Sequence, residues 1–588
     1  MKKRNGGYEM KRKIAAMIMM ALSLSVTSVP VVFGAETAAE ASEAEAAFKA
    51  DVVQHIKNGE IKGSIVNDDK TLLWTGVPYA AAPVGELRWK APQDHEDWEG
   101  TFDATKDGNI GVQVSGGEVV GSEDCLNMDI FRPNTDQTGL PVLVYIHGGN
   151  NQTGTSKEIP FEQLAANANC VVISLNYRLG ALGFNSLPAL KTGDDLENSG
   201  NYTLLDFAKA LDWIAENGES LGADPKNITI SGFSAGGRDV MAMLISPIFE
   251  GKFQKAISFS GGMTVADVED SQKVTAKAIA PLVVEDGIKE TEEEAVEWLL
   301  SEEEAQKEEV RTYLYGVEAG RLAGIMTNAG IRMSVFPHLF GDGTVLPEEG
   351  FDTTQYNDVP VIMLTGASEF SIFALGDPYF ADAGDLVEGE KSAEYKFAMG
   401  YGSELYGLFN AEESAVKMID QYEAPIYTCE IEFGTDEEIM GKQQANLIGA
   451  SHGVFIPFLS GVATGSAGGD GTAYEYEGSK ELTEKFQSYI SNFLWTGDPN
   501  GNGEGLVKWE AWTDAKEGPS QLILNADKEK AMIEMSTDRI SYDEILDRME
   551  EDTSISEEAK KQIISEVLNG RWFSAGLDER FGNRNLWE

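Results

Sequence analysis

Asn227-Ile228-Thr229-Ile230-Ser231-Gly232-Phe233-Ser234-Ala235-Gly236 is the stretch whose reading decides the fold. Its apolar, β-branched start, residues 227–230, reads as a buried strand. Residues 238–245 beyond it read as the start of a helix. The corner between them holds one serine flanked by glycines. A Cβ at Gly232 or Gly236 would crowd the neighbouring strand and helix, so the turn is strained and needs both elbow glycines. The strain lifts the Ser234 hydroxyl clear of the sheet, where a base can reach it. Ser234 is therefore the candidate nucleophile.

Outward from this corner the chain alternates. Strand-like runs at residues 142–146, 170–175, 256–259, 359–364 and 426–433 are separated by helical patterns. In residues 204–217, Leu205, Ala208, Leu211 and Ile214 fall on one helix face. The alternation predicts an α/β fold, a mostly parallel central sheet with helices on both faces. Ligand sites in such sheets lie beyond the carboxyl ends of the strands.

A serine on this kind of corner resembles the nucleophile elbow of the α/β-hydrolase fold, whose triads run serine, acid, histidine along the chain. The chain has five histidines, and only His338 and His452 follow Ser234. His452 lies in Gly449-Ala450-Ser451-His452-Gly453, where small neighbours leave an imidazole free to face a cleft. His338 lies among Phe336, Pro337, Leu339 and Phe340. His452 is taken as the base. Between nucleophile and base, Glu369 follows the 359–364 strand in Gly366-Ala367-Ser368-Glu369-Phe370. A carboxylate there can accept the far N–H of the imidazole and hold the tautomer that takes the serine proton. His147-Gly148-Gly149-Asn150 follows the 142–146 strand, and a glycine-rich turn at that place can aim backbone N–H groups at a substrate oxygen. His147 precedes the nucleophile and reads as a structural member of that loop.

The whole pattern resembles the type-B carboxylesterase family, which includes cholinesterase-like and bacterial carboxylesterases. The resemblance rests on Gly76-Val77-Pro78-Tyr79-Ala80, on Pro83 to Trp89, on Ser122-Glu123-Asp124-Cys125-Leu126-Asn127 and on Asn176-Tyr177-Arg178-Leu179-Gly180. Gly200-Asn201-Tyr202 with Leu205-Asp206, Gly341 to Pro347, and Thr496-Gly497-Asp498-Pro499-Asn500 continue it in order. It implies an α/β-hydrolase fold with large helical insertions, Ser234 as nucleophile, Glu369 as acid and His452 as base. It also implies an oxyanion hole made by the N–H groups of Gly149, Asn150 and Ala235. The departures are informative. The family carries a glutamate where Phe233 stands, and that glutamate favours cationic substrates in cholinesterase-like members. It carries a third glycine where Asn150 stands, although Asn tolerates unusual backbone angles. It often pairs the cysteine equivalent to Cys125 with an earlier one, but residues 109–113 contain none.

Composition sets the remaining expectations. A chain of 588 residues with 42% hydrophobic content can bury a large core. A net charge of −51 disfavours nucleic acid as a partner; it reads first as solubility and colloidal repulsion, and more sharply as disfavour for anionic substrates. Lys2, Lys3, Arg4, Lys11, Arg12 and Lys13 precede an apolar run over residues 14–24 and small residues near Gly34 and Ala35. This is the pattern of a secretory signal peptide, so the expected location is extracellular, by bacterial export, with no membrane anchor after cleavage. The expected division is a leader at 1–34, an acidic Ala/Glu-rich linker at 35–50, a catalytic domain at 51–540 and a C-terminal helical extension at 541–588. Residues 267–309 read as acidic helices with solvated faces. Cys170 and Cys429 lie in strand-like runs and read as buried thiols. Asp498, Asn500, Asn502 and Gly503 imitate the start of a calcium loop, but Trp509 stands where the closing glutamate belongs. Phe233, Phe370, Phe373, Phe455 and Phe458 lie near the motif residues and suggest an apolar pocket, with Phe233, Phe370 and Phe455 the candidate pocket residues. The expected activity is hydrolysis of small, uncharged esters through an acyl-enzyme, with no cofactor, no metal and no protein partner. Its rivals are an inactive adhesion or binding member of the family and an amide or thioester hydrolase.

Overall fold

Alternating side chains on the central strands build two apolar cores, one on each face of a single sheet. In the strand Leu140–Ile146, Val142, Val144 and Ile146 enter one core, while Leu143 and Tyr145 enter the other. Both faces are covered, so the strand is apolar along its whole length rather than alternating with polar residues. The computed structural model describes residues 48–327, 329–463, 471–501 and 505–583. The leader and most of the acidic linker fall outside these residues, as do Asn502 and Gly503 of the calcium-like loop.

The main sheet has eleven strands, numbered here in chain order. They are β1 (Ser64–Val66), β2 (Thr71–Pro78), β3 (Asn127–Pro133), β4 (Leu140–Ile146), β5 (Val171–Leu175), β6 (Ala223–Phe233), β7 (Lys255–Phe259), β8 (Val361–Gly366), β9 (Ile426–Ile431), β10 (Leu522–Ala526) and β11 (Ala531–Met535). Their spatial order is β11-β10-β9-β8-β7-β6-β4-β5-β3-β2-β1. The run from β5 through β4 and β6 to β10 is parallel, and the pairs at either end are antiparallel. Helices flank this mostly parallel sheet, which is the α/β-hydrolase architecture. All six strands read from the sequence are present. Strands β1, β2, β3, β10 and β11 have no counterpart among the runs read from the sequence.

The helix after the corner begins three residues earlier than its sequence pattern suggests, at Ala235, and runs to Ile245. Ser234 is therefore its N-cap residue, yet the side chain makes no capping hydrogen bond. The helices Val268–Glu285, Glu292–Leu299 and Glu304–Gly316 account for the acidic insertion. At the other end of the chain, Tyr542–Glu551 and Ala575–Phe581 are helical. Ile545, Leu546, Met549, Ile563, Trp572, Phe573 and Leu577 are all buried in the first core. Cys125, Cys170 and Cys429 are buried free thiols.

Two charge pairs tie the motif segments together. Arg88 donates to both oxygens of Glu123, at 2.6 and 2.7 Å. Arg178, after β5, donates to Asp206 on the helix Tyr202–Asn217 at 2.6–3.1 Å through Nε, Nη2 and its own backbone N–H. Asp206 is fully buried, so removing its carboxylate strands a buried guanidinium without its counter-charge. The Asp206→Ala variant is expected to lose about 3–5 kcal/mol of unfolding free energy, read from its urea midpoint.

Candidate active site

Three strand ends bring the candidate residues together. Strand β6 stops at Phe233, and Ser234 turns the chain at φ 56° and ψ −114°. Few non-glycine residues accept such angles, and they persist only where the surroundings fix them. Here the Ser234 N–H donates to Phe259 O at 2.9 Å and the Ser234 carbonyl accepts from Arg238 N–H at 3.0 Å. The elbow glycines are required sterically. A Cβ on Gly232 would stand 2.2 Å from Gly236 O, and one on Gly236 would stand 2.2 Å from Ile146 O.

Glu369 lies three residues beyond β8 and has no solvent exposure. Its Oε1 accepts from Gly366 N–H at 2.6 Å, Ser260 Oγ–H at 2.6 Å and Thr365 Oγ1–H at 3.2 Å. Its Oε2 lies 2.5 Å from His452 Nδ1. A parallel bridge between Ser368 and Ser451, with Ser368 N–H donating to Ala450 O at 2.9 Å, sets the two loops side by side. The imidazole is packed by aromatic rings. Phe233, Phe373 and Tyr406 have centroids 4.6, 5.3 and 5.6 Å from it. Its Nε2 is buried and has no hydrogen-bond partner among the described residues. Ser234 and His452 open onto one cleft of about 550 Å³.

The loop after β4 borders the same cleft. Gly149, Asn150 and Asn151 all have positive φ, at 93°, 58° and 54°. A Cβ on Gly149 would meet Thr153 O at 2.2 Å, so only glycine fits. Asn150 holds its φ and donates through Nδ2 to Gln152 Oε1 at 3.0 Å. Asn151 anchors the loop from beneath, donating to Asp239 Oδ1 at 2.8 Å. Burial pushes the Asp239 carboxyl up to about 7. The Gly148 N–H donates to Glu158 Oε2 at 2.9 Å, and Tyr145 Oη–H donates to the same oxygen at 2.6 Å. Desolvation raises the Glu158 carboxyl above its ordinary range.

A family model described as the carboxylesterase family matches residues 50–388, more than half of the chain. The chain belongs to the carboxylesterase family. A para-nitrobenzyl esterase of Bacillus subtilis (strain 168) is 39% identical over 238 residues, 39% of this chain and 47% of that protein. That match thus spans about half of the Bacillus protein's length. The pyrethroid hydrolase Ces2e of Rattus norvegicus is 30% identical over 503 residues, 79% of this chain and 84% of its own. A solved structure of PNB esterase superposes with a TM-score of 0.56 at 27% identity, covering 82% of this chain and 97% of that one.

Within this carboxylesterase-family framework, the structure separates the sequence candidates. Phe233 lines the cleft. Phe370 and Phe455 do not, which corrects their reading as pocket residues. Phe455 is fully buried, stacked on Phe259 at 4.2 Å behind Phe233. Phe370 is fully buried against Phe573. Phe373, also offered by the sequence, lines the cleft with Ile372 on the short helix Ser371–Leu375. His338 is fully buried beside Phe184, Phe336 and Trp572 and donates from Nδ1 to Phe336 O at 2.9 Å. Sequence reasoning missed Glu158, Tyr406 and Ser260, because nothing local marks a residue that meets the site from a distant segment.

His147 stacks on Tyr177 at 4.3 Å and donates from Nδ1 to Gly148 O at 2.8 Å. Burial lowers its pKa to about 4. Between that value and the ordinary imidazole value near 6.5, the unfolded chain binds a proton that the folded chain refuses. His147 therefore contributes stability above that range that is lost as pH falls through it. In imidazole-labelled NMR spectra, the His147 resonance is expected to stay at its neutral position from pH 8 down to pH 5. A midpoint near 6.5 would contradict the burial argument.

Proposed function

We propose that the chain is a secreted serine carboxylic-ester hydrolase that acts through an acyl-enzyme on small, uncharged esters. The observation that carries this reading is the pairing of His452 Nδ1 with Glu369 at 2.5 Å, with Nε2 unpartnered among the described residues and both His452 and Ser234 lining one cleft. Ser234 Oγ attacks the ester carbonyl carbon and its proton passes to His452 Nε2. Serine–base hydrogen bonds are often loose without substrate and tighten in the complex. Glu369 accepts the Nδ1–H bond and stabilises the imidazolium. The carbonyl oxygen, now an oxyanion, accepts from the N–H groups of Gly149, Asn150 and Ala235, at about 3–4 kcal/mol per donor in the transition state. Collapse expels the alcohol, which takes the proton from Nε2. Water then attacks the acyl carbon as Nε2 takes its proton, and the acid leaves with Ser234 restored.

The lining supports neutral substrates. Although the chain carries a net charge of −51, the described lining of the cleft contains no Asp, Glu, Lys or Arg side chain. Phe233 puts an aromatic face beside the imidazole where the family has a carboxylate. Export rests on the basic and apolar pattern of residues 2–24. The names of the para-nitrobenzyl esterase and pyrethroid hydrolase relatives support ester cleavage as the reaction class.

A fluorophosphonate probe is expected to label the wild type and not Ser234→Ala. Ser234→Ala and His452→Ala are expected to lower kcat for a nitrophenyl ester about 10⁶-fold, and Glu369→Ala about 10⁴-fold. A folded wild type that refuses the label would return the binding-protein alternative. In the Phe233→Glu variant, the ratio of kcat/KM for a choline ester to that for its uncharged isostere is expected to rise about tenfold. An unchanged ratio would remove Phe233 from the account of substrate charge.

A further inference from the structure

Two stretches of the cleft lining are held together from behind by one residue that touches neither the cleft nor the triad. The first stretch is Ala329, Gly330 and Ile331. The second is Ile372 and Phe373 on the helix Ser371–Leu375. Asp377 follows that helix, its N–H donating to Ala374 O at 3.1 Å and its Oδ1 accepting from Tyr379 N–H at 3.1 Å.

Arg571 joins the two. Its Nη1 donates to Gly330 O, and its Nη2 donates to Asp377 Oδ2 at 3.0 Å. Its Nε and Nη2 also donate to Val567 O, at 3.0 and 2.9 Å. The guanidinium stands over the Phe370 ring, 5.2 Å from its centroid. Arg571 is only 2% exposed, and its bonds to Asp377 and Val567 are buried, while the one to Gly330 is part-buried. The residue is itself fixed, since its N–H donates to Ser574 Oγ at 2.8 Å and Ser574 Oγ–H donates to Asp578 Oδ2 at 2.7 Å. A second strut runs beside it. Arg332 donates to Glu566 O at 3.1 Å and lies 3.9 Å from Asp377 Oδ2. The neighbouring Phe573 packs on Phe370 and Tyr406.

A planar fork with several fixed donors is suited to hold two backbone segments at a set distance, which a lysine ammonium cannot do. We propose that Arg571 is a positioning residue that determines specificity, fixing the separation of the Gly330 stretch and the Asp377 helix and so the size of ester group the cleft accepts. This rests on the esterase reading of the cleft given above. A wall displaced by a fraction of an ångström changes which acyl or alcohol groups fit, while Ser234, His452 and Glu369 keep their own supports.

The test compares wild type, Arg571→Met and Asp377→Asn on nitrophenyl esters from acetyl to octanoyl. Fluorophosphonate labelling and acetyl-ester kcat are expected to stay within about threefold of wild type in both variants. The ratio of kcat/KM for the octanoyl ester to that for the acetyl ester is expected to rise about tenfold or more, through KM. A ratio within about twofold of wild type in folded variants would overturn the proposal. So would a parallel fall in labelling and in turnover of every ester, which would make Arg571 merely structural. If Arg571→Met does not fold by near-ultraviolet circular dichroism, Asp377→Asn decides, because it keeps the side-chain shape. If wild type itself refuses the probe, the esterase reading has failed and the clasp is judged separately. Hydrogen exchange in residues 329–332 and 371–377 should then accelerate together in Asp377→Asn, and unchanged exchange in both would overturn it.

Discussion

A carboxylate without water must find all its partners inside the protein, and Glu369 does so with only one vacancy. Three donors converge on Oε1, from Gly366, Ser260 and Thr365, leaving Oε2 for the His452 ring. This arrangement demands that two strand ends and one loop meet. Strand β8 delivers Gly366 and Thr365, the residue after β7 delivers Ser260 at φ 52°, and the bridged loop delivers the imidazole. Any shift in strand register would leave a buried charge short of a donor, at a cost of several kcal/mol. The sheet is thus the device that makes a buried carboxylate tolerable, and the imidazole orientation follows from it.

The same economy governs the cleft. Charge is kept behind the lining rather than on it. Glu158 and Asp239 hold the loop after β4 from below, and Arg571 and Asp377 hold two other stretches. The lining around Ser234 and His452 is made of aromatic, aliphatic, small and neutral polar residues. Strongly acidic overall composition therefore coexists with a site whose described lining carries no formal charge.

The parts legible in the sequence were those written in one short stretch. Gly232 and Gly236 announce the strained corner because no other residue avoids the carbonyls beside them. Gly149 announces the loop after β4 for the same reason. Glu369 and His452 were legible only through chain order and small neighbours, since their meeting spans 83 residues. The aromatic residues were harder. Phe370 and Phe373 are three apart, yet the helix between them sends one to Phe573 and the other to the imidazole. Composition cannot tell which face is which. Tyr406 and Phe573 stayed hidden because contact with the site is made by packing, which leaves no spacing signature.

Arg571 reaches Gly330 across 241 residues of chain and Asp377 across 194. Contacts of such long separation form late and slow folding. During synthesis, the ribosome finishes β8, Phe370 and Tyr406 long before it delivers the rings and the guanidinium that cover them. The nascent chain must therefore carry an uncovered aromatic surface through roughly the last third of its elongation. That is a demand for chaperone holding, written into the order of the residues and not into any single one of them.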